Sequence, residues 1–164
     1  IARETKAICK KYNAKLIIND NVLIAKEIHA DGVHLGKEDM NPKEARKILG
    51  NNFIIGGSTN SMEDVKRQMK NGADYIGIGP FRFTSTKEKL NPILGLEGIK
   101  RIAEKFWNKI PMIAIGGIRL DDIKPLMETG IYGIAVCSNI HFSENKTEAT
   151  KTLLKTINRV IEKS

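Results

Sequence analysis

Two aspartates and a series of hydroxyls, each just behind a short apolar run, are the residues of this chain best suited to chemistry. Asn19 and Asp20 close "KLIIND", Glu38 and Asp39 follow "GVHLG", and Ser58 and Thr59 follow "FIIGG". Further on come Thr84, Ser85, Thr86 and Lys87, then Gly116 and Gly117, then Cys137 and Ser138. Two carboxylates on neighbouring strand ends suit Mg2+, a hard ion that takes one or two carboxylates and leaves its other positions to water and substrate phosphate. Helix capping is the competing use of Asp20, which precedes "NVLIAKEI". The glycine pair and Cys137 with Ser138 place backbone N–H groups at helix entrances, where phosphate binds, although a tight turn alone also asks for glycine. His34 titrates near neutrality and is a candidate base, but its place inside an apolar run favours a packed histidine. His29 and His141 have no partner pattern.

The elements that must position these residues follow from the apolar runs "KLIIN" (15–19), "GVHL" (32–35), "FIIGG" (53–57), "YIGIG" (75–79), "MIAIG" (112–116) and "GIAVC" (133–137). Continuous hydrophobicity marks strands buried on both faces, as in a parallel sheet. Helical patterns lie between them. Asn41 is placed to cap one helix with Pro42 at its first position, and Ser61 to cap another that Gly72 stops. Pro125 falls near the beginning of its helix, and Phe106 and Trp107 fit a packing face. In the last helix Leu153, Leu154, Ile157, Val160 and Ile161 share a side that packs back on the rest. A repeating strand and helix order implies parallel strands with helical crossovers.

The glycine-rich strand ends, and the lack of a GxGxxG fingerprint, favour an α/β TIM (β/α)8 barrel over an open dinucleotide-binding sheet. Six strands are countable, so two more are expected ahead of Ile1, and residues 1–164 read as one barrel domain that is incomplete at its start. In such a barrel the chemical residues above all share the carboxyl-end face. The stretch "GPFRFTSTKEKLNPILG" (79–95) is far longer than the usual connection of about 2 to 6 residues. Its hydroxyls and Lys87 suit a loop that folds over a phosphorylated ligand.

Composition narrows the classes. Lys and Arg outnumber Asp and Glu by 27 to 19, for a net charge of +8. The basic residues are spread along helix faces and only 5% of residues are aromatic, which argues against nucleic acid. No apolar stretch approaches the roughly 18 residues that span a bilayer. Two cysteines, Cys9 and Cys137, form neither a disulfide framework nor a zinc pattern, so a reducing cytoplasm is expected. Cys137 lies in a run that reads as a buried strand.

Taken in order, "IND" (18–20), "DGVHLGKEDM" (31–40), "IIGGST" (54–59), "YIGIGPFRFTSTK" (75–87), "LGLEGI" (94–99), "IAIGGI" (113–118) and "GIAVCS" (133–138) resemble thiamine phosphate synthase. The resemblance implies a transferase that joins 4-amino-5-hydroxymethyl-2-methylpyrimidine diphosphate to thiazole phosphate, releasing pyrophosphate by a dissociative mechanism. It implies Asp20 and Asp39 as Mg2+ ligands. Asn19, Ser58 and Lys87 are implied as contacts to the pyrimidine diphosphate, with Lys87 neutralising the departing pyrophosphate. Thr84, Ser85, Thr86, Gly117, Cys137 and Ser138 are implied in the thiazole phosphate pocket. Its partners are small molecules, with neither nucleic acid nor membrane, and a homodimer is left open.

The family's Gln-x-Arg-x-Lys clamp belongs to a strand ahead of the first visible one. Many members have a histidine where this chain has Asn60. Related thiazole tautomerases rely on that region's histidine and lack the Thr-x-Thr-Lys loop, so Asn60 with Lys87 favours the synthase. A non-catalytic barrel that holds thiazole phosphate or thiamine phosphate is the other alternative.

Overall fold

The computed structural model describes residues 1–84 and 91–162. The chain divides into two compact units, Ile1–Ile76 and Gly77–Ser164. In the first, α1 (Ala2–Lys11), β1 (Ile17–Asn19), α2 (Val22–Glu27), β2 (Gly32–Leu35), α3 (Pro42–Leu49), β3 (Ile54–Thr59) and α4 (Met62–Lys70) alternate. Strand β4 (Tyr75–Ile78) begins in this unit and ends in the next, where α5 (Gly95–Phe106), β5 (Met112–Ile115), α6 (Ile123–Met127), β6 (Gly133–Ala135), α7 (Ser138–His141) and α8 (Lys146–Ile161) follow. Among the described residues six strands alternate with the helices. This is an α/β fold, as its alternating apolar runs require.

In the first unit β1, β2 and β3 pair in parallel, with Asn19 opposite His34 and His34 opposite Gly56. Register partners point to the same side of a sheet and successive residues to opposite sides. Val33 and Leu35 therefore face the helices and join Val22, Ala25, Ala45, Leu49 and Ile55 in a buried apolar cluster. Asn19, His34 and Gly56 occupy the other side. Burying each Leu or Ile of the cluster contributes about 1.5–3 kcal/mol, which makes the helix-facing side the stabilising one and leaves the opposite side available for polar groups. Arg46 of α3 ties the start of β3 in place: it donates to the Phe53 carbonyl and pairs with Asp74 at 2.5 Å, and Asp74 also accepts the Ile55 amide at 2.7 Å.

The expected caps at Asn41 and Ser61 are present, accepting from Lys43 N at 2.8 Å and Asp64 N at 3.1 Å. In helix α2 the competing use of Asp20 as a cap is not taken up. The cap is Asn21, which accepts from Ile24 N at 2.9 Å, while Asp20 sits in the left-handed region with φ 63°. That leaves the carboxylate of Asp20 outside the helix end.

In the second unit β5 and β6 pair in parallel, Ile113 opposite Gly133 and Ile115 opposite Ala135. Ile99, Ile102, Ala103 and Phe106 of α5 are buried, as are Met112, Ala114, Ile123, Leu126 and Leu153. Three sequence expectations fail here. Strand β6 stops at Ala135, so Cys137 is an exposed residue leading into α7 rather than part of a buried strand. Trp107 follows α5 as its C-cap and is largely exposed, with its ring beside Gly130. On α8 Leu153 is buried but Leu154 and Ile161 are exposed, so the packed side is narrower than the apolar pattern suggests. Among the described residues no helix is long and apolar enough to cross a membrane.

Candidate functional site

Because β1, β2 and β3 are parallel and in register, the residues behind them collect at one end of the first unit. Asn19 is the last residue of β1, and its side-chain amide donates to Asp20 at 2.6 Å. The Asp20 amide in turn donates to the His34 carbonyl at 2.8 Å, which fixes the turn after β1 against β2. Behind β2 the chain folds back so that Gly36 N donates to the Asp39 carboxylate at 2.6 Å. A Cβ on Gly36 would come within 2.7 Å of that carboxylate oxygen, so the glycine clears the space Asp39 occupies. Both aspartates are exposed.

Two features tune this end. Asp64 is buried on α4 and binds Lys37 and Arg67, each at 2.5 Å, and the Asn60 amide at 2.9 Å. Burial pushes its carboxyl up, but Lys37, the Asn60 amide and Arg67 outweigh burial and hold the carboxyl below the usual range. The ion pair with Lys37 ties the loop that carries Asp39 to α4. On the polar side of the sheet, His34 is half-buried, with Nε2 3.0 Å from Ser58 Oγ and Nδ1 3.0 Å from the Tyr75 hydroxyl. The sequence suggested a packed histidine; the structure gives it two hydroxyl partners, one of them a candidate site residue. The signal lay in the alternation of β2 and β3, which puts His34 beside Gly56 and hence near Ser58.

In the second unit the amides of Leu94 and Gly95 donate to the carbonyls of Pro80 and Phe81 at 2.9 and 3.1 Å, closing the neck of the long connection. Phe81 and Arg82 donate in turn to Ile115 O and Gly116 O at 2.8 and 2.9 Å. Gly116 and Gly117 have φ values of 98° and 66°, and a Cβ on Gly117 would lie 2.7 Å from the Phe83 carbonyl. Only glycine suits a left-handed turn pressed this closely on a neighbouring segment. Arg82, absent from the sequence-derived candidates, joins the two segments: it donates to Gly117 O at 3.0 Å and makes a two-pronged pair with Asp122 at 2.7 and 2.9 Å. That guanidinium holds the Asp122 carboxyl below its usual range. Gly117 behind β5 and Cys137 and Ser138 behind β6 sit at the same end of the strand pair. Thr84 is half-buried at the edge of the connection, and Ser85, Thr86 and Lys87 lie outside the described residues.

The thiamine monophosphate synthase family model matches residues 1–140. The chain belongs to this family. Thiamine-phosphate synthase of Flavobacterium johnsoniae is 56% identical over 161 residues, covering 96% of this chain and 74% of that protein. The thiamine-phosphate synthase of Phocaeicola vulgatus is 51% identical, covering 91% of this chain and 73% of that one. Among solved structures, a thiamine phosphate pyrophosphorylase from Pyrococcus furiosus superposes with a TM-score of 0.87 at 37% identity, over 98% of this chain and 75% of that one. Orotidine 5'-phosphate decarboxylase from Pyrococcus horikoshii, at 16% identity and a TM-score of 0.70, shares the fold alone. Thiamine monophosphate synthases are transferases, and the chain is an enzyme of that class. This kinship does not favour a tautomerase or a non-catalytic barrel.

Among the described residues no three acidic, histidine or cysteine side chains are grouped to hold a metal. Mg2+ does not ask for that, since it is bound through one or two carboxylates with waters and phosphates filling its octahedron. Asp20 and Asp39, hard oxygen donors on neighbouring strand ends with Gly36 cleared beneath one of them, fit such an ion.

Proposed function

We propose that the protein condenses 4-amino-5-hydroxymethyl-2-methylpyrimidine diphosphate with thiazole phosphate, giving thiamine phosphate and pyrophosphate. The observation that carries this reading is the pair of exposed carboxylates, Asp20 and Asp39, behind paired parallel strands with Ser58 at the same end. In this reading Asp20 and Asp39 hold Mg2+, which when bound neutralises charge on the diphosphate. Asn19 and Ser58 orient the diphosphate by hydrogen bonds, and Lys87 meets the leaving pyrophosphate. Thr84, Ser85, Thr86, Gly117, Cys137 and Ser138 hold the thiazole phosphate, the glycine and its neighbours through backbone N–H groups.

The path is dissociative. The bond from the pyrimidine methylene carbon to the diphosphate oxygen breaks first, the electron pair leaves with pyrophosphate, and the thiazole nitrogen then attacks the pyrimidine cation. Such a reaction depends on stabilising the departing anion more than on a general base. A complete (β/α)8 barrel belongs to the same proposal, supported by the match to a Pyrococcus furiosus structure of which this chain covers 75%. Two free cysteines support a reducing, cytoplasmic setting.

The test is thiamine phosphate formation from the two substrates, followed by mass spectrometry with and without a chelator. Product that vanishes with the chelator and returns with Mg2+, together with a raised Mg2+ requirement in Asp20→Asn and Asp39→Asn, is expected. Formation indifferent to the chelator would contradict the metal assignment.

A further inference from the structure

Tyr75, His34 and Ser58 make a continuous hydrogen-bonded line across the polar side of the first unit's sheet. The Tyr75 hydroxyl lies 3.0 Å from His34 Nδ1, and His34 Nε2 lies 3.0 Å from Ser58 Oγ. The arrangement is built into the backbone. His34 is opposite Gly56 in the β2 and β3 register, and a Cβ on Gly56 would fall 2.2 Å from the Tyr75 ring. The missing side chain at Gly56 is thus the space in which the tyrosine ring lies. The imidazole and phenol rings are 5.4 Å apart between centroids and tilted by 38°, so they meet edge to edge through their polar atoms rather than stacking.

The direction of the line follows from counting protons. Among the described residues the Tyr75 hydroxyl has one hydrogen-bond partner, His34 Nδ1. If Nδ1 carried the proton and Tyr75 accepted it, the phenolic hydrogen of this half-buried residue would have no acceptor among the described residues, which is costly away from water. Tyr75 donating to Nδ1 satisfies both groups. A neutral imidazole with Nδ1 accepting must carry its hydrogen on Nε2. Burial also pushes the Tyr75 phenol up, which keeps it protonated and able to donate.

We infer that Tyr75 and His34 are positioning residues in a one-way donor chain. Tyr75 donates to His34 Nδ1, and His34 Nε2–H donates to Ser58 Oγ. Ser58, not called on to donate to His34, keeps its own hydrogen to give to a phosphoryl oxygen of the substrate. With one of its two lone pairs taken by His34 Nε2–H, the Ser58 hydroxyl can turn its hydrogen outward, the polarity that suits an anionic oxygen. A hydrogen bond of this kind strengthens as charge develops on a departing diphosphate. The identity of the phosphorylated ligand rests on the proposed function, whereas the direction of the chain does not.

Nitrogen-15 NMR of the imidazole in the substrate-free protein at neutral pH reads the direction. The expected result is a neutral His34 with its hydrogen on Nε2, and loss of that preference in Tyr75→Phe. A hydrogen on Nδ1, or on both nitrogens, would overturn the chain. In turnover, Tyr75→Phe and Ser58→Ala are each expected to lower kcat about tenfold, the scale of one lost hydrogen bond. The double variant should be no worse than Ser58→Ala alone, because Tyr75 acts only through Ser58. Independent losses that multiply to roughly a hundredfold would mean that Tyr75 acts through the general structure, and would overturn the inference. If the wild type released no pyrophosphate, the proposed function would fall while the NMR result would still decide the chain.

Discussion

Replacing Asp64 with asparagine tests how the loop carrying Asp39 is held. The side chain of Asp64 is only 8% exposed, and its carboxylate binds Lys37 and Arg67 at 2.5 Å and the Asn60 amide at 2.9 Å. Asparagine keeps the volume and one acceptor but removes the charge both cations answer. Hydrogen bonds to charged groups contribute about 1.5–3 kcal/mol, and breaking a fully buried pair costs about 3–5 kcal/mol. Lys37 and Arg67 are 27% and 51% exposed and can turn back to water. The lower range therefore applies, and Asp64→Asn should cost roughly 2 kcal/mol near neutral pH.

The pH dependence has a definite sign. Burial raises the folded-state pKa of Asp64, but Lys37, the Asn60 amide and Arg67 more than offset it, leaving the pKa below the ordinary 3.8. A depressed carboxyl contributes stability that is fully present above its unfolded value and is lost as pH falls through its folded value. The wild-type advantage should hold from about pH 7 down to about pH 4 and shrink below that. Urea denaturation of both proteins at neutral and acid pH measures it. A variant as stable as wild type at neutral pH would refute the reasoning, as would a deficit unchanged in acid. Since Lys37 begins the loop that carries Asp39, the variant should also need more Mg2+ for half-maximal rate.

Gly56→Ala should lower the melting temperature and cost about 1–3 kcal/mol by overpacking, because the new methyl would stand 2.2 Å from the Tyr75 ring; an unchanged melt would mean that the ring has room elsewhere. Lys87→Ala should reduce turnover far more than stability, since a charged side chain in so polar a stretch of sequence contributes little to a core. Parallel losses of melting temperature and rate would remove Lys87 from the leaving-group role.

The alternation of strand and helix was legible because apolar runs and caps are local signals: "GVHL" is β2 to the residue, and Asn41 and Ser61 cap as their types predict. Boundaries were less so. Asp20 and Asn21 are both good caps, and only the left-handed turn at Asp20 decides that Asn21 takes the role. The burial of "GIAVC" was overread because hydrophobicity does not say where a strand ends, and β6 ends before Cys137. The side-chain networks were least visible. Asp64 and Lys37 are 27 positions apart in sequence and Arg82 and Asp122 are 40 apart, so their pairing depends on how strands and turns register. The type of His34 marks it as a candidate, but its partners depend on the register of β2 against β3 and on Tyr75 lying over Gly56.

The proposed condensation is tested most simply by pyrophosphate release measured with both substrates and with each alone, in the presence of Mg2+. Release should equal the thiamine phosphate formed, and occur only when the pyrimidine diphosphate and the thiazole phosphate are both present. Thiazole phosphate bound or isomerised with no pyrophosphate released would contradict it.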